Sequence, residues 1–184
     1  MIRHLIALIA LCLLAFGAQS QTLNNGQRAT LCTACKGAAA CNTPRLIGDS
    51  VSVLQWLNAA RSPAALAWYT SAPALSIEEA PTYTTYDSFQ QGKRDSWELF
   101  LRSPRDFTKN KVRNWVVDVW GHATGGSNAE AVLQAATFNA SNAQHALGGT
   151  TRSTGTVSAL DLVFPYSVSQ DDANYVADPA RCQG

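Results

Sequence analysis

The sequence has little charge: Asp, Glu, Lys and Arg make up only 15% of its 184 residues. The 14 basic and 13 acidic side chains nearly cancel, so the chain lacks the basic excess of a dedicated nucleic-acid-binding protein. It also lacks an apolar run of about 20 residues, the length that a membrane-spanning helix needs. Because 46% of the residues are hydrophobic and 16 of them (five Trp, five Tyr and six Phe) are aromatic, we expect a folded domain and not a disordered chain.

Motifs that would indicate catalysis or a bound cofactor are missing as well. The glycine pairs Gly125–Gly126 and Gly148–Gly149 are not followed by Lys-Ser or Lys-Thr, so neither predicts a phosphate-binding loop. Asp95 and Glu98 lie one turn apart on a predicted helix, a carboxylate spacing that is common on exposed faces and identifies no glycosidase. We therefore expect a protein that is not an enzyme and that carries no cofactor or metal.

The first twenty residues have the layout of a secretory signal peptide. A weakly basic start precedes an apolar run from Leu5 to Phe16, and small residues suit cleavage after Ser20. Removing residues 1–20 takes away Arg3 and Cys12, so 14 − 1 = 13 basic side chains face 13 acidic ones and 5 − 1 = 4 cysteines remain. The alternative is that the segment is upstream sequence read in frame and is never exported.

The four remaining cysteines predict disulfide bonds, because an even number in an exported chain is typical of a disulfide framework. Three connectivities are open; we favour Cys35–Cys41 with Cys32–Cys182, in which the second bond ties the C-terminus to the N-terminal region. The alternatives are free thiols, or a redox-active or metal-binding site at the Cys32-Thr-Ala-Cys35 motif.

Helical periodicity dominates the chain after residue 20. The clearest amphipathic stripe spans Val112 to Trp120, and Gly121 ends it. Further helices are predicted after caps at Asp49, Ser62, Ser127 and Ser169, and another begins near Ser88. The helix after Ser127 runs towards Leu147, and Thr108 is the predicted cap of the Val112 helix. Residues 71–87 are interpreted as a long loop, with a short strand as the alternative, and Pro165 limits any strand near residues 155–168 to a short or edge piece.

The predicted fold is therefore all-α, with five or six helices and minimal short β structure near the C-terminus. Residues 21–184 are expected to form one helical domain stapled by disulfides. The tryptophans at helical spacing, Trp97, Trp115 and Trp120, are assigned to core packing and not to a ligand platform.

A basic segment between residues 93 and 113 is the candidate partner-binding surface. Its seven basic and three acidic side chains (Asp95, Glu98 and Asp106) give a local net charge of 7 − 3 = +4. Such a segment could meet an acidic partner or a nucleic-acid backbone, or it could form the solvated faces of two helices. The candidate residues are Lys93, Arg94, Arg102, Arg105, Lys109, Lys111 and Arg113.

Several short motifs resemble one group of small proteins encoded by tailed bacteriophages and prophages. They are the stretch Asn58–Ser71, which includes a Ser-Pro-Ala and a Trp-Tyr-Thr-Ser, then Gly92–Trp97, Asp106–Arg113 and Asp118–Gly121. The last third, Ala143–Phe164, follows the group in order and spacing. The resemblance covers roughly residues 23–177, nearly all of the chain after the leader.

The resemblance implies a small helical structural or assembly protein of a virion or tail, with no catalytic residues to transfer. Its partners would be virion components or a second copy of the chain, with no specific nucleic acid and no membrane contact after signal removal. The leader and the four cysteines depart from the group. They favour an alternative, an exported periplasmic protein, either lysis-associated or a binding module, that reuses this domain. A third hypothesis, a small exported hydrolase, is not supported by any recognisable set of catalytic residues.

Overall fold

The computed structural model describes residues 21–121 and 125–182. The predicted signal peptide, residues 1–20, lies outside the described residues. The chain divides into two compact units. The first combines the N-terminal part up to Gln55 with the segment from Tyr166 onward, and the second is Trp56–Pro165. The sequence analysis expected one domain over residues 21–184.

Within the described residues there are nine α-helices, one short 3-10 helix (Tyr86–Ser88) and four strands. The helices are α1 (Asn25–Lys36), α2 (Ala39–Leu46), α3 (Ser50–Asn58), α4 (Ala74–Glu79), α5 (Gln91–Leu101), α6 (Asn110–Trp120), α7 (Asn128–Ala135), α8 (Asn142–Leu147) and α9 (Gln170–Ala177). The strands are β1 (Leu66–Trp68), β2 (Thr137–Asn139), β3 (Gly149–Thr154) and β4 (Val157–Leu162).

The predicted all-α fold is wrong, because the four strands form one mixed sheet and the fold is α/β. The sheet order is β2-β1-β4-β3. β1 pairs antiparallel with β2 and parallel with β4, where Ala67 faces Leu160, and β3 and β4 form an antiparallel hairpin. The number of helices in the described residues also exceeds the five or six expected.

The predicted helix ends at Asp49, Ser169 and Gly121 are confirmed. The Asp49 carboxylate accepts the Ser52 N–H at 3.1 Å at the start of α3, and the Ser169 hydroxyl accepts the Asp172 N–H at 3.2 Å at the start of α9. α6 ends at Gly121, whose φ of 89° is a conformation that favours glycine.

Four local predictions were wrong. The turn after Ser62 is not helical, since its residues 66–68 are strand β1, and the helix expected from residue 128 to Leu147 is interrupted by β2. The expected loop of residues 71–87 contains α4. Thr108 does not cap α6, which begins after Lys109; the Thr108 N–H and hydroxyl both bond to the Asp106 carboxylate.

The core of the Trp56–Pro165 unit is rich in aromatic side chains. The indoles of Trp68 and Trp97 and the ring of Phe107 are at most 1% exposed. They pack with the apolar faces of α6 and α7 and with the inward residues of β4. These faces form because α6 carries apolar residues three and four positions apart, as its sequence stripe predicts. Further buried members are Ile77, Val116, Val119, Ala129, Val132, Leu133, Val157 and Ala159.

The unit that joins both ends of the chain is held by two disulfides and a buried ion pair. Cys32 bonds to Cys182 and Cys35 bonds to Cys41, with Cα–Cα distances of 5.6 and 5.0 Å. This confirms the prediction of disulfide bonds and is the connectivity that the sequence favoured. The guanidinium of Arg28 contacts the fully buried carboxylate of Asp172 at 2.7 Å.

The β3–β4 turn is fastened to the start of α7 through Glu130. The Thr156 hydroxyl donates to one carboxylate oxygen at 2.6 Å, and the Gly126 N–H donates to the other at 2.5 Å. Both bonds favour the ionised form, the Thr156 bond most, and so they lower the pKa of Glu130 below its ordinary value. The stabilisation is therefore present above the ordinary Glu pKa and is lost as the pH falls through the lowered, folded-state pKa.

We expect Thr156→Val to raise the pKa of Glu130 towards the ordinary Glu value, because the largest cause of the lowering is removed. An NMR titration of the side-chain carboxyl carbon measures this pKa. Thr150→Val, a hydroxyl on the same hairpin, is the matched control and should leave the titration of Glu130 unchanged. An unaltered pKa in Thr156→Val would contradict the assignment.

Candidate protein-binding site

The basic segment lies on α5, α6 and the connection between them, and its basic residues differ in burial and in the contacts that they make. Lys93 places its ammonium 4.5 Å from the centre of the Phe89 ring. Arg94 is half-buried on the same helix, and Arg102 is exposed just after it. Lys109 and Lys111 are exposed at the start of α6. The segment is therefore not one continuous cationic face.

Arg105 closes the C-terminal end of α5. Its Nε donates to the Phe100 carbonyl oxygen at 2.8 Å and a terminal nitrogen donates to the Leu99 carbonyl oxygen at 3.1 Å. The guanidinium lies 4.8 Å from the centre of the Phe100 ring. A positive side chain on the last carbonyls of a helix satisfies acceptors that lack partners within the helix, and it complements the helix dipole.

Arg113 is an interior residue, only 2% exposed. It donates to the Phe107 carbonyl oxygen and to the Thr154 hydroxyl, the latter at 3.0 Å, and its guanidinium lies 5.0 Å from the Trp68 ring centre. Burial lowers the pKa of Arg113. Its side chain ties α6 to β1 and β3, so its first task is structural, a role that the sequence analysis did not assign to it.

Between α5 and α6 lies an apolar groove, which we call the α5–α6 groove. It has a volume of about 350 Å³. The Phe100 and Trp115 rings stack in it with centres 4.3 Å apart, and Leu99 beside them is 59% exposed. The lining residues are Ser96, Leu99, Phe100, Arg105, Lys111, Val112 and Trp115.

The rim of the α5–α6 groove is cationic. Arg105 and Lys111 line it, and no carboxylate is among its lining residues in the described part of the chain. An apolar floor with stacked aromatic rings takes an aliphatic or aromatic anchor residue, and the two cations favour acidic neighbours of that anchor. The groove is suited to contact with another protein.

The rim of this groove, Arg105 and Lys111, is among the candidate residues predicted from the sequence, but its apolar floor is not. Trp97, Trp115 and Trp120 were all assigned to the core; Trp97 and Trp120 are buried, but Trp115 is half-buried and lines the groove. The signal that was missed is Leu99, a large apolar residue on the exposed face of α5. It lies close to the half-buried Trp115 of α6.

We find no group of three or more His, Cys, Asp or Glu side chains arranged for a metal within residues 21–121 and 125–182. Among the same residues, no helix has the length and apolar character to cross a membrane.

Comparisons with protein-family models, with curated proteins and with solved structures found no match to this chain. The similarity of its motifs to the phage group therefore stays a prediction.

Proposed function

We propose that the chain is a structural or assembly protein of a tailed phage or prophage, without enzymatic activity, that acts through contacts with other proteins. The observation that carries this proposal is the α5–α6 groove, with its stacked rings, exposed Leu99 and cationic rim. Protein contact surfaces concentrate binding energy in a few residues, most often Trp, Tyr and Arg, and Trp115 and Arg105 both line this groove.

The resemblance adds support because two of its motifs contribute residues to the groove, Ser96 from Gly92–Trp97 and Lys111 and Val112 from Asp106–Arg113. The Gly92–Trp97 motif forms much of α5, and Asp106–Arg113 leads into and begins α6. The third motif, Asp118–Gly121, ends α6. A structural protein that keeps these helices would keep the same surface for its virion partner.

The first experiment asks whether the chain is part of a particle. Particles released by the cells that encode the chain are purified on a density gradient, and their proteins are quantified by mass spectrometry against the most abundant particle protein. We expect the chain to migrate with the particles in a fixed ratio to that protein. Recovery only in the soluble or periplasmic fractions would contradict the proposal.

A substitution in the α5–α6 groove then tests the surface itself. Leu99→Asp should reduce incorporation into particles by about tenfold or more, because it places a charge on the apolar floor. The fold should be retained, since Leu99 is mostly exposed. Val163→Asp is the matched control: Val163 is 66% exposed and lies in the same unit outside the groove. Equal incorporation of both variants would contradict a role for the groove.

A second candidate function is that of an exported periplasmic protein, lysis-associated or a binding module. The observation that favours it is the pair of disulfides, Cys32–Cys182 and Cys35–Cys41, because such bonds persist in oxidising compartments. The signal-like leader supports the same destination.

The two candidates differ in the covalent state of the isolated protein. Rapid alkylation followed by intact-mass measurement reports both the N-terminus and the number of free thiols. Cleavage after Ser20 with no alkylated cysteine favours the exported protein. An intact Met1 with all cysteines alkylated would exclude export and leave the particle protein.

A further inference from the structure

We infer that the outer edge of β3 binds an extended, acidic segment of a partner protein by adding it to the sheet as a further strand. β3 is the terminal strand in the order β2-β1-β4-β3, and five of its six residues are exposed. This inference is independent of the α5–α6 groove, and it stands or falls separately from the proposed function.

The pattern of hydrogen bonds shows which backbone groups of β3 point outward. The Val163 N–H donates to the Gly148 carbonyl oxygen at 3.2 Å, which places this pair at a hydrogen-bonded position of the ladder, while the Gly148 N–H donates to the His145 carbonyl oxygen. In an antiparallel pair, residues whose backbone groups bond to the partner strand alternate with residues whose backbone groups point away from it. Counted from Gly148, the even-numbered residues of β3 are therefore the ones that bond to β4. The N–H and C=O groups of Thr151 and Ser153 therefore point away from β4, towards the side on which the sheet has no further strand within the described residues.

A cavity runs along this edge. It has a volume of about 770 Å³, and its lining includes Thr151, Arg152 and Ser153. The lining also includes Asp161 of β4, which shares a face of the hairpin with Arg152, so the cavity lies over that face and reaches the edge of the sheet at Thr151 and Ser153. Because consecutive strand residues point to opposite faces, an added strand would place every second side chain next to this cavity.

The net positive charge of the side chains that line the cavity favours an added strand with acidic side chains. Its lining has four cationic side chains, of Lys109, Lys111, Arg113 and Arg152, and one carboxylate, that of Asp161, which is 4.0 Å from the Arg152 Nε. Lys109, Lys111 and Arg152 have exposed side chains, and Lys111 also borders the α5–α6 groove. Acidic side chains on an added strand would meet this net positive charge.

A second copy of the chain is a poorer occupant of the same edge. Pairing β3 with β3 would bring Lys109, Lys111 and Arg152 of both copies into one interface, where like charges oppose association. The apolar content that would offset this is also missing, since β3 consists of Gly, Thr, Arg and Ser. The complementary partner is therefore an acidic extended segment and not this chain itself.

The experiment uses the full chain, labelled with 15N and with intact disulfides, and a short blocked peptide in which Thr and Glu alternate. At millimolar peptide we expect shifts at residues 149–154 and slower amide hydrogen exchange at Thr151 and Ser153. The matched peptide of Thr and Lys should shift none of these signals. The acidic peptide N-methylated throughout cannot donate to the outward carbonyl oxygens of Thr151 and Ser153, so it should bind more weakly and give little protection of either amide.

Two variants at one position separate strand addition from simple charge attraction. Thr151→Pro removes an outward donor and no bond to β4, and it should weaken peptide binding by about tenfold or more. Thr151→Val keeps the donor and should bind as the natural chain does. Circular dichroism checks that both variants keep the fold.

Four results would overturn the inference. The first is no shift at β3 with the acidic peptide, and the second is equal binding by Thr151→Pro and Thr151→Val. The third is the same set of shifts and amide protection with free glutamate or inorganic phosphate, which would make the cavity a site for small anions. Dimerisation of the natural chain that Thr151→Pro abolishes would likewise replace the partner segment by a second copy.

Discussion

Replacing Cys32 and Cys182 together by alanine is expected to lower the free energy of unfolding by about 5 kcal/mol, the largest single effect among the variants described here. The bond joins residues 150 positions apart, so in the chain-entropy model it removes more freedom from the unfolded chain than a short bridge does. Both cysteines are buried, and alanine adds no polar group to their sites. Urea denaturation followed by far-UV circular dichroism measures the loss.

The matched control is the double replacement of Cys35 and Cys41 by alanine. These residues are only six positions apart, so the same model gives a loss of roughly 2 kcal/mol. Circular dichroism is the right signal because all five tryptophans lie in the Trp56–Pro165 unit, whereas both disulfides belong to the other one. Equal losses in the two double variants would contradict the loop-length argument.

The size of this effect bears on where the protein works. Domains are commonly stable by about 5–15 kcal/mol, so a loss of about 5 kcal/mol is a large part of the total. A measured loss of this size would indicate that the chain acquires Cys32–Cys182 in an oxidising compartment. This favours the exported alternative, unless the particle protein acquires its bonds after release from the cell.

The helix ends could be predicted from the sequence because a cap is a local signal. Asp49, Ser127 and Ser169 each bond to a backbone N–H three residues later, within reach of a short pattern. Gly121 ends α6 for an equally local reason. The cap at Ser141 carries the same kind of signal, with Gln144 three residues later completing the capping box, but it was hidden inside a helix that was predicted to continue.

The strands could not be found in the same way, because most are too short for a period. β1 and β2 have three residues each and form only because distant segments pair, Leu66 with Asn139 and Ala67 with both Phe138 and Leu160. Such pairing overrides the helical preference of the alanines before β1. The sequence of β3, with its run of Thr, Arg and Ser before Gly155, does indicate a strand. Because β3 is an exposed edge strand, it lacks the alternation of apolar and polar residues that identifies a half-buried strand.

The candidate sites were only partly predictable for a related reason. The positive charge of residues 93–113 is visible in the sequence, but the structure divides it between a helix cap at Arg105, an interior contact at Arg113 and exposed side chains. The two surfaces depend on which side chains meet across α5 and α6 and on where the edge of β3 lies. Both depend on tertiary pairing that the sequence does not display.

Arg28→Met is expected to lower the free energy of unfolding by about 3 kcal/mol, because it leaves the buried Asp172 carboxylate without its counter-charge. Asp172 is fully buried and Arg28 is 20% exposed, which places the effect at the lower end for a broken buried pair. After the change, Asp172 keeps its bonds to Ser169 but no cation. Urea denaturation by circular dichroism measures the loss.

Arg181→Met is the matched control, because Arg181 also pairs with an aspartate in this unit and also lies near the Tyr175 ring. Its ion pair with Asp178 is exposed, so its loss should cost at most about 1 kcal/mol. Adding Asp172→Asn to Arg28→Met should recover part of the stability, since the uncompensated charge is then gone and the amide still bonds to Ser169. If Arg28→Met costs no more than Arg181→Met, the buried charge of Asp172 is not what the arginine stabilises, and packing of α1 against α9 carries the unit instead.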